Sequence, residues 1–171
     1  MMQLEDLTFI QKLGEGSFGQ VFLTTKKGTT ELFATKKMDR QYADSPGVRK
    51  YFVNEINILK EVKHKNIVKL EEIRETKDYY FIVMEYCNGG TLASCLKKFK
   101  EIYKFPFSER ITQYIMRQLV FAINYIHKNN LIHRDLKLDN ILVQFDNDFD
   151  LKYVQMLKCK IKLIDFGFST I

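Results

Sequence analysis

Apolar and polar residues alternate with a period of two through much of the first half of the chain, which is typical of β-strands. In segment 31–38, Leu32, Ala34, Lys36 and Met38 fall on one face, and Lys37 points to the other. Similar alternation or a short apolar run occurs in segments 7–13, 20–25, 67–73 and 80–85. The pattern therefore predicts five strands.

A helix is predicted between the third and fourth strands. Ser45-Pro46 is a typical helix start, with serine as the N-cap and proline at the first helical position. Apolar residues then recur at helical spacing, at Val48, Phe52, Ile56, Leu59 and Val62. Glu55 lies inside this stripe, and because an unpaired buried charge is unfavourable, we expect it to have a partner. The alternative is a glutamate on the helix flank that reaches solvent.

Helical spacing dominates the second half, which follows a glycine-containing break at residues 86–90. Thr91 is the predicted N-cap of a short helix, and Ser108 that of a longer one. The apolar stripe of the longer helix is Ile111, Ile115, Leu119, Ala122 and Ile126. This helix is predicted to end at Asn129-Asn130, since asparagine is favourable at a helix C-terminus. A further short strand is expected at residues 141–143.

The composition is that of a folded protein. With 171 residues, 46% of them hydrophobic, the chain can bury a core. We expect no transmembrane segment, because no apolar run is long enough to span a bilayer. We also expect no signal peptide, because the polar start, Met1–Asp6, lacks the apolar region of one. The three cysteines lack metal-ligand spacing, which favours a reduced, intracellular protein with a cytoplasmic location.

The net charge of +6 permits an acidic partner without identifying one. The densest basic group, Lys97, Lys98, Lys100 and Lys104, is typical of a solvated helix face. A basic nucleic-acid-binding domain is an alternative, but no module of such proteins is recognisable. We therefore expect no nucleic-acid partner.

A glycine-rich loop, Gly14-Glu15-Gly16-Ser17-Phe18-Gly19, joins the first two predicted strands. Glycines at this spacing let backbone N–H groups approach phosphate oxygens without an intervening Cβ. Dinucleotide-binding folds share the spacing but place a helix directly after it, whereas alternating residues 20–24 indicate a strand here. The loop therefore predicts a hairpin over phosphate groups, with an ordinary β-turn as the alternative.

A dense polar stretch at residues 133–140 lies between the longer helix and the strand at 141–143. It contains a candidate base, Asp135, a cation, Lys137, and an amide that can bind a metal ion, Asn140. Phosphoryl transfer requires such groups, because it depends on positioning and charge neutralisation rather than covalent catalysis. For Asp135 alone, a loop aspartate that caps a turn is the alternative.

In combination, these motifs resemble a eukaryotic protein kinase catalytic domain of the serine/threonine type. The glycine loop and Val21 are followed, in the family's order, by Phe33-Ala34-Thr35-Lys36, His133-Arg134-Asp135-Leu136-Lys137 with Asn140, and Asp165-Phe166-Gly167. The resemblance implies an α+β, protein kinase-like fold. Its parts would be a five-stranded antiparallel N-lobe with one helix (1–84), a hinge (85–90) and an incomplete helical C-lobe (91–171).

The resemblance also implies an ATP site. Lys36 would bind the α- and β-phosphates and pair with Glu55, and Met84 would be the gatekeeper before the hinge. The implied nucleotide-binding residues are Leu13, Gly14, Gly16, Ser17, Phe18, Gly19, Val21, Ala34, Lys36, Met84, Glu85, Cys87 and Leu142. Among them, Leu13, Val21, Ala34 and Leu142 would sandwich the adenine ring.

The implied activity is transfer of the γ-phosphoryl group of ATP to serine or threonine hydroxyls of protein substrates. Asp135 would accept the hydroxyl proton, and Lys137 would neutralise the γ-phosphate; a lysine here resembles the serine/threonine-specific branch. Asp165 and Asn140 would bind Mg²⁺, with Mn²⁺ as the alternative metal ion. The implied catalytic residues are Asp135, Lys137, Lys36 and Glu55, and no regulatory partner is identified.

The sequence departs from the family pattern in the segment between Asn140 and Asp165, which is longer than the usual short hairpin. In this respect it is similar to autophagy-initiating kinases and, more loosely, to calmodulin-dependent and calcium-dependent ones. Alternating acids at 146–150 suggest calcium, but the glycine and glutamate of an EF-hand loop are missing. We expect a solvated, extended hairpin, with metal binding as the alternative.

The chain stops four residues after Gly167, before the family's activation segment and Ala-Pro-Glu motif. We therefore expect the nucleotide and metal residues to be present without the platform for a peptide substrate. The alternative function is a nucleotide-binding or regulatory kinase fragment that is inactive alone.

Overall fold

A computed structural model describes residues 6–16, 19–146, 153–167 and 169. The chain divides into two compact units. The first unit extends to Lys60 and also contains Lys69–Tyr86, and the second contains Glu61–Val68 and continues from Cys87. The polypeptide therefore passes into the second unit, returns to the first for two strands, and then completes the second.

The first unit is built on a five-stranded antiparallel sheet, as predicted, with strand order β1-β2-β3-β5-β4. Its strands are β1 (Leu7–Gly16), β2 (Gly19–Lys26), β3 (Leu32–Asp39), β4 (Leu70–Glu75) and β5 (Tyr79–Glu85). Strand β4 begins three residues after the predicted start at residue 67. The reason is that Ile67 belongs to the second unit, where it pairs with Leu163.

Two helices accompany the sheet, the predicted one and a one-turn helix that the sequence pattern did not indicate. Helix α1 (Arg40–Ala43) is one turn long, and its N-cap Asp39 accepts a hydrogen bond from the backbone N–H of Tyr42 (3.0 Å). Helix α2 (Pro46–Glu61) begins at the predicted proline. Its buried face includes Ile58, whereas the predicted core residue Ile56 is only half-buried.

Helix α2 packs on the face of the sheet that carries Lys36. The ring of Phe52 on α2 contacts the ring of Tyr80 on β5 at a centroid distance of 4.8 Å. The opposite face contributes Phe33 and Val83, with Leu7, to a buried apolar cluster. The sheet is therefore apolar on both faces, and α2 covers one of them.

In the second unit, helices α3 (Leu92–Tyr103) and α4 (Glu109–Lys128) begin as predicted. The Thr91 hydroxyl accepts a hydrogen bond from the N–H of Ser94 (3.1 Å), and the Ser108 hydroxyl one from Ile111 (3.3 Å). All five predicted stripe residues of α4 are buried. The helix ends at Asn129-Asn130, where Asn130 has a left-handed φ of 58°. The capping predictions are confirmed.

The segment after the polar loop forms an antiparallel hairpin of β6 (Ile141–Gln144) and β7 (Lys160–Leu163), with a one-turn helix α5 (Tyr153–Met156) between them. The predicted hairpin is confirmed for these strands. Met156 and Cys159 are buried, however, so the part described before β7 is not wholly solvated. Residues 147–152, which include most of the acids considered for calcium binding, lie outside the described residues.

Residues Glu61–Val68 are tied to the second unit by Asn66, which is 1% exposed. Its side-chain amide donates hydrogen bonds to the carbonyl oxygen of Ile161 (3.0 Å) and to the side chain of Gln118 (2.9 Å). The backbone N–H of Leu163 in turn donates to the Asn66 carbonyl oxygen (2.9 Å). These bonds join the segment to β7 and α4.

Candidate active site

Lys36 and Glu55 form the predicted ion pair in the first unit. The Lys36 Nζ lies 2.9 Å from both carboxylate oxygens of Glu55, and both side chains are buried. Strand β3 presents the lysine and helix α2 presents the glutamate, so the pair joins sheet and helix. The alternative in which Glu55 reaches solvent is wrong.

The register of the sheet brings further predicted nucleotide-binding residues to the face of Lys36. Val21 lies opposite Lys36 in the β2–β3 pair, and Ala34 lies opposite Met84 in the β3–β5 pair. Opposed residues in antiparallel strands point to the same face, and so do residues two apart on a strand. Val21, Ala34 and Met84 therefore share the face of Lys36.

The three glycines of the predicted phosphate loop lie in the β1–β2 hairpin, where Gly16 is opposite Gly19 and Gly14 is opposite Val21. Gly19 has a φ of 147°, and a Cβ there would lie 2.3 Å from the carbonyl oxygen of Lys37. The fold therefore requires glycine at this position. A Cβ at Gly14 or Gly16 would meet nothing within 4 Å, so packing does not require glycine at either.

The remaining predicted nucleotide-binding residues are distributed over both units. Leu13 is 40% exposed and occupies a register shift of β1 between Lys12 and Gly14. The carboxylate of Glu85 accepts a hydrogen bond from the backbone N–H of Lys69 (2.7 Å). In the second unit, Cys87 is buried and Leu142 lies on β6, opposite Thr91. Ser17 and Phe18 lie outside the described residues.

Asp135 is the centre of the polar loop in the second unit. Its carboxylate accepts a hydrogen bond from Lys137 Nζ (2.7 Å) and another from the side-chain amide of Asn140 (2.8 Å), both at Oδ2. The same amide donates to the Asp135 carbonyl oxygen (2.9 Å). Asn140 belongs to a short 3-10 helix, Leu138–Asn140, and is buried. The three predicted polar residues are therefore brought together, and both side-chain hydrogen bonds to the carboxylate are made at the same oxygen atom, Oδ2.

These contacts shift the pKa values of Asp135 and Lys137. The hydrogen bond from Lys137 lowers the pKa of Asp135, and the same contact raises the pKa of Lys137. Both groups are consequently charged at neutral pH. The loop presents an ionised carboxylate next to a protonated lysine.

His133 holds the loop in place through hydrogen bonds at both nitrogens of its ring. Its Nδ1 accepts a hydrogen bond from the Asp135 N–H (3.3 Å), so Nε2 carries the proton that is donated to the Ile164 carbonyl oxygen (2.9 Å). Its ring also meets Phe166 edge to face, at a centroid distance of 5.0 Å. Burial lowers the pKa of His133, which favours this neutral form. His133 is therefore a structural link between the loop and the Asp165-Phe166-Gly167 motif.

Asn140 and Asp165 are the predicted metal ligands, and the β6–β7 hairpin brings their backbones to the same end. The N–H of Ile164, which precedes Asp165, donates to the Asn140 carbonyl oxygen (2.9 Å). Since the Asn140 amide nitrogen bonds to Asp135, Oδ1 is the atom left for a metal ion. Amide and carboxylate oxygens suit Mg²⁺, which completes its shell with phosphate oxygens and water. The residues present therefore fit Mg²⁺.

Two residues of the site, Arg134 and Asp165, have left-handed backbone conformations, each with φ of 65°. Such conformations are unfavourable for residues other than glycine and concentrate at functional sites. One of them precedes Asp135 and the other begins the Asp165-Phe166-Gly167 motif. The strained backbone therefore marks both parts of the candidate site.

Sequence reasoning missed two groups that shape the loop. The Ile164 carbonyl oxygen accepts the His133 hydrogen bond, and the Ser169 hydroxyl donates to the His133 carbonyl oxygen (3.3 Å). Both are more than thirty positions from His133. The local pattern of apolar and polar residues cannot predict contacts between residues so far apart in the sequence.

Comparison with known proteins identifies the class to which this fold and site belong. A family model described as the protein kinase domain matches residues 7–171. The chain belongs to the protein kinase domain family.

Individual relatives agree with this assignment. Serine/threonine-protein kinase 33 of Bos taurus is 38% identical over 170 residues, which cover 96% of this chain and 32% of the relative. Calcium-dependent protein kinase 4 of Plasmodium falciparum is 35% identical over 161 residues, or 94% of this chain and 28% of that protein. A probable serine/threonine-protein kinase of Dictyostelium discoideum, fhkC, is 35% identical over 158 residues, 24% of its length. The chain thus spans a third or less of these relatives.

Among the residues that the structure describes, no helix is both long and apolar enough to cross a membrane. Within the same residues, no three His, Cys, Asp or Glu side chains converge in a manner that could hold a metal ion. The Asn140 and Asp165 pair is of a different type, because it contributes only one carboxylate.

Proposed function

We propose that the protein containing this chain transfers the γ-phosphoryl group of ATP to serine or threonine hydroxyls of protein substrates. The observation that carries the proposal is the Asp135 carboxylate, ionised and held by Lys137 and Asn140. A carboxylate in this state can accept a hydrogen bond, and then a proton, from a substrate hydroxyl. The Lys36–Glu55 pair and the family membership support the same activity.

For nucleotide binding, we assign Lys36 to the α- and β-phosphates, with Glu55 fixing its position. The backbone N–H groups of the glycine hairpin are assigned to phosphate oxygens, in line with the open space around Gly14 and Gly16. The adenine contacts proposed in the first unit are Leu13, Val21, Ala34, Met84 and Glu85. Those proposed in the second unit are Cys87 and Leu142.

Asn140 and Asp165 are the residues that would hold Mg²⁺, or Mn²⁺ in its place. When bound, the metal ion would neutralise negative charge on the phosphate groups. Lys137 adds a second cation near Asp135 and is assigned to the γ-phosphate.

The proposed chemical step needs no covalent enzyme intermediate. The substrate hydroxyl oxygen forms a bond to the γ-phosphorus as the bond to the ADP oxygen breaks, and the hydroxyl proton passes to Asp135. Lys137 balances negative charge on the transferred group. The lysine at this position also supports serine or threonine as the acceptor.

The corresponding domain assignment is an N-lobe at 1–84, a hinge at 85–90 and C-lobe residues at 91–171.

The substitution Asp135→Asn tests the proposal in the full-length protein. It preserves the size of the side chain but removes the proton acceptor, so phosphoryl transfer should fall by at least about 100-fold. Affinity for Mg·ATP, measured by calorimetry, should remain near that of the wild type. Asp139→Asn, at an exposed aspartate of the same loop, is the matched control and should be nearly neutral.

Unchanged turnover of Asp135→Asn would remove Asp135 from the reaction. Binding of Mg·ATP by the wild type without transfer to any serine or threonine peptide would instead favour the alternative of a nucleotide-binding or regulatory protein.

A further inference from the structure

A cluster of polar side chains surrounds Asp44, close to the start of helix α2. The Tyr80 hydroxyl lies 3.3 Å from both Asp44 carboxylate oxygens, and Arg49 Nη1 donates to Oδ1 (3.1 Å). The Arg40 guanidinium completes the cluster, with Nε 3.6 Å from Oδ2. We call Arg40, Asp44, Arg49 and Tyr80 the Asp44 cluster.

The Asp44 cluster connects three elements of the first unit. Arg40 lies on α1, Arg49 lies on the first turns of α2, and Tyr80 lies on β5. Arg40 also donates a hydrogen bond from Nη1 to the carbonyl oxygen of Thr76 (3.0 Å), at the turn between β4 and β5. One carboxylate therefore ties the start of α2 to strand β5.

Tyr80 holds the helix in a second way. Its ring contacts Phe52 on α2 (centroid distance 4.8 Å) on one side, and the Arg40 guanidinium lies 4.9 Å from the ring centre. Burial and the neighbouring Asp44 raise the pKa of Tyr80, so the hydroxyl keeps its proton and can donate to the carboxylate. The hydroxyl thus contacts a residue just before α2 begins, and the ring contacts the second turn of the helix.

The position of Glu55 depends on the direction of α2. Glu55 is nine residues beyond Pro46, about 14 Å along the helix at about 1.5 Å per residue. A rotation of about 5° at the start of the helix would therefore move Glu55 by about 1.2 Å. If directed away from Lys36, that displacement would lengthen the 2.9 Å contacts beyond ordinary hydrogen-bond distance.

We propose that Asp44 and Tyr80 are positioning residues, which fix the direction of helix α2 and so hold Glu55 against Lys36. The proposal deepens the proposed function, because it rests on the role of the Lys36–Glu55 pair in ATP binding. The contact between Lys36 and Glu55 can also be probed without nucleotide.

The first experiment compares Tyr80→Phe with Tyr79→Phe. Tyr80→Phe removes the hydroxyl but keeps the ring against Phe52, and Tyr79→Phe removes a hydroxyl from the adjacent position, on the opposite face of β5. The measurement is the rate at which acetic anhydride acetylates Lys36, followed by peptide mass spectrometry. Lys162, a buried lysine of the second unit, reports global unfolding in the same sample.

Acetylation of Lys36 should be accelerated several-fold in Tyr80→Phe and in Asp44→Asn, with Lys162 and the Tyr79→Phe variant unchanged. Equal acceleration at Lys36 and Lys162 would mean general destabilisation and would overturn the proposal. No acceleration at Lys36 would overturn it as well.

The second experiment is a double-mutant cycle on Mg·ATP affinity. Tyr80→Phe should weaken binding by about 5-fold, the effect of about one lost hydrogen bond. In a Glu55→Gln background the same substitution should have almost no further effect, since Tyr80 acts through Glu55. Equal losses in both backgrounds would overturn the positioning role.

The two proposals fail in different ways. If Glu55→Gln leaves Mg·ATP affinity unchanged while Tyr80→Phe still accelerates acetylation of Lys36, the geometry holds and the ATP role of the pair is contradicted. If Glu55→Gln weakens ATP binding and Tyr80→Phe changes neither measurement, the positioning role alone is contradicted.

Discussion

The ammonium nitrogen of Lys36 is equidistant, at 2.9 Å, from the two carboxylate oxygens of Glu55, nineteen positions further along the chain. Neither side chain has more than about a tenth of its surface exposed. A buried ion pair is costly to desolvate, and its net contribution to stability is small even when its geometry is good. Stability therefore gives little reason for the pair, and we attribute its presence on the sheet face of Val21, Ala34 and Met84 to the proposed role in ATP binding.

Removal of one partner of this pair should be far more damaging than removal of both. Lys36→Met leaves the Glu55 carboxylate buried without a cation, and we expect a loss of about 3 kcal/mol in the free energy of unfolding. The double substitution Lys36→Met with Glu55→Leu removes both charges and should recover most of that loss. Urea unfolding of the two variants measures the difference, and a double variant less stable than the single one would contradict the prediction.

The glycine hairpin offers a matched pair of substitutions with different expected effects on stability. Gly19→Ala places a Cβ against the carbonyl oxygen of Lys37, in a conformation that side chains rarely adopt, and should cost about 1–3 kcal/mol of stability. Gly16→Ala meets nothing within 4 Å and should leave the unfolding free energy within about 1 kcal/mol of the wild type.

If Gly16 allows close approach of phosphate, its substitution should instead weaken Mg·ATP binding. Thermal unfolding and calorimetric titration of both variants separate the two effects. A Gly16→Ala variant that binds Mg·ATP like the wild type would argue against a phosphate-binding hairpin.

Much of the fold could be predicted because its elements have strong local signals. The stripe of α4 runs from Ile111 to Ile126 with helical period, and the hydroxyls of Thr91 and Ser108 cap the helices as their sequence positions suggest. Helix α1 was missed because a single turn is too short to show a period. Strand β4 was placed too early because Ile67 is apolar, and only its long-range pairing with Leu163 separates it from the strand.

The residue types of the candidate site could be predicted, but only some of its contacts could. The sequence spacing placed Asp135, Lys137 and Asn140 in one loop, where the structure joins them directly. The Lys36–Glu55 contact was expected because a glutamate in an apolar stripe needs a partner. The links from His133 to Ile164 and from Tyr80 to Asp44 span 31 and 36 positions, and no periodic pattern encodes them.

Folding stability should decrease as the pH falls below about 6.5, the ordinary pKa of histidine. Burial lowers the pKa of both His133 and His64 in the folded protein, so the unfolded chain binds protons at a higher pH than the folded one. Above about pH 6.5 both forms are neutral and the contribution is constant; below it, stability is lost by at most about 1.4 kcal/mol per pH unit for each histidine.

Urea midpoints between pH 7.5 and about pH 5, measured with a chelator present, test this dependence. The variants His133→Gln and His64→Gln should each show a shallower slope than the wild type, whatever their absolute stability. An identical slope in His133→Gln would mean that this imidazole can be protonated in the folded state without loss of its contacts.

Asn66 should be among the polar residues on which folding depends most. Its side-chain amide donates hydrogen bonds to Ile161 and Gln118, which lie 95 and 52 positions further along the chain. The side chain is almost fully buried. Asn66→Ala leaves the Ile161 carbonyl oxygen buried with one donor fewer, and we expect a loss of about 2–3 kcal/mol in the free energy of unfolding. Asn66→Asp should be at least as destabilising, because it turns a donor into an anion that faces two oxygen acceptors.

Gln113→Ala is the control for loss of an amide, since the Gln113 side chain donates to Glu109 (3.1 Å) at the exposed surface of α4. It should change stability by no more than about 0.5 kcal/mol. Chemical unfolding at pH 7.5 compares the three variants, and hydrogen exchange at the N–H of Leu163 locates the effect. Asn66→Ala should speed that exchange because the Leu163 N–H donates to the Asn66 carbonyl oxygen, and a rate equal to that of Gln113→Ala would show that β7 does not depend on Asn66.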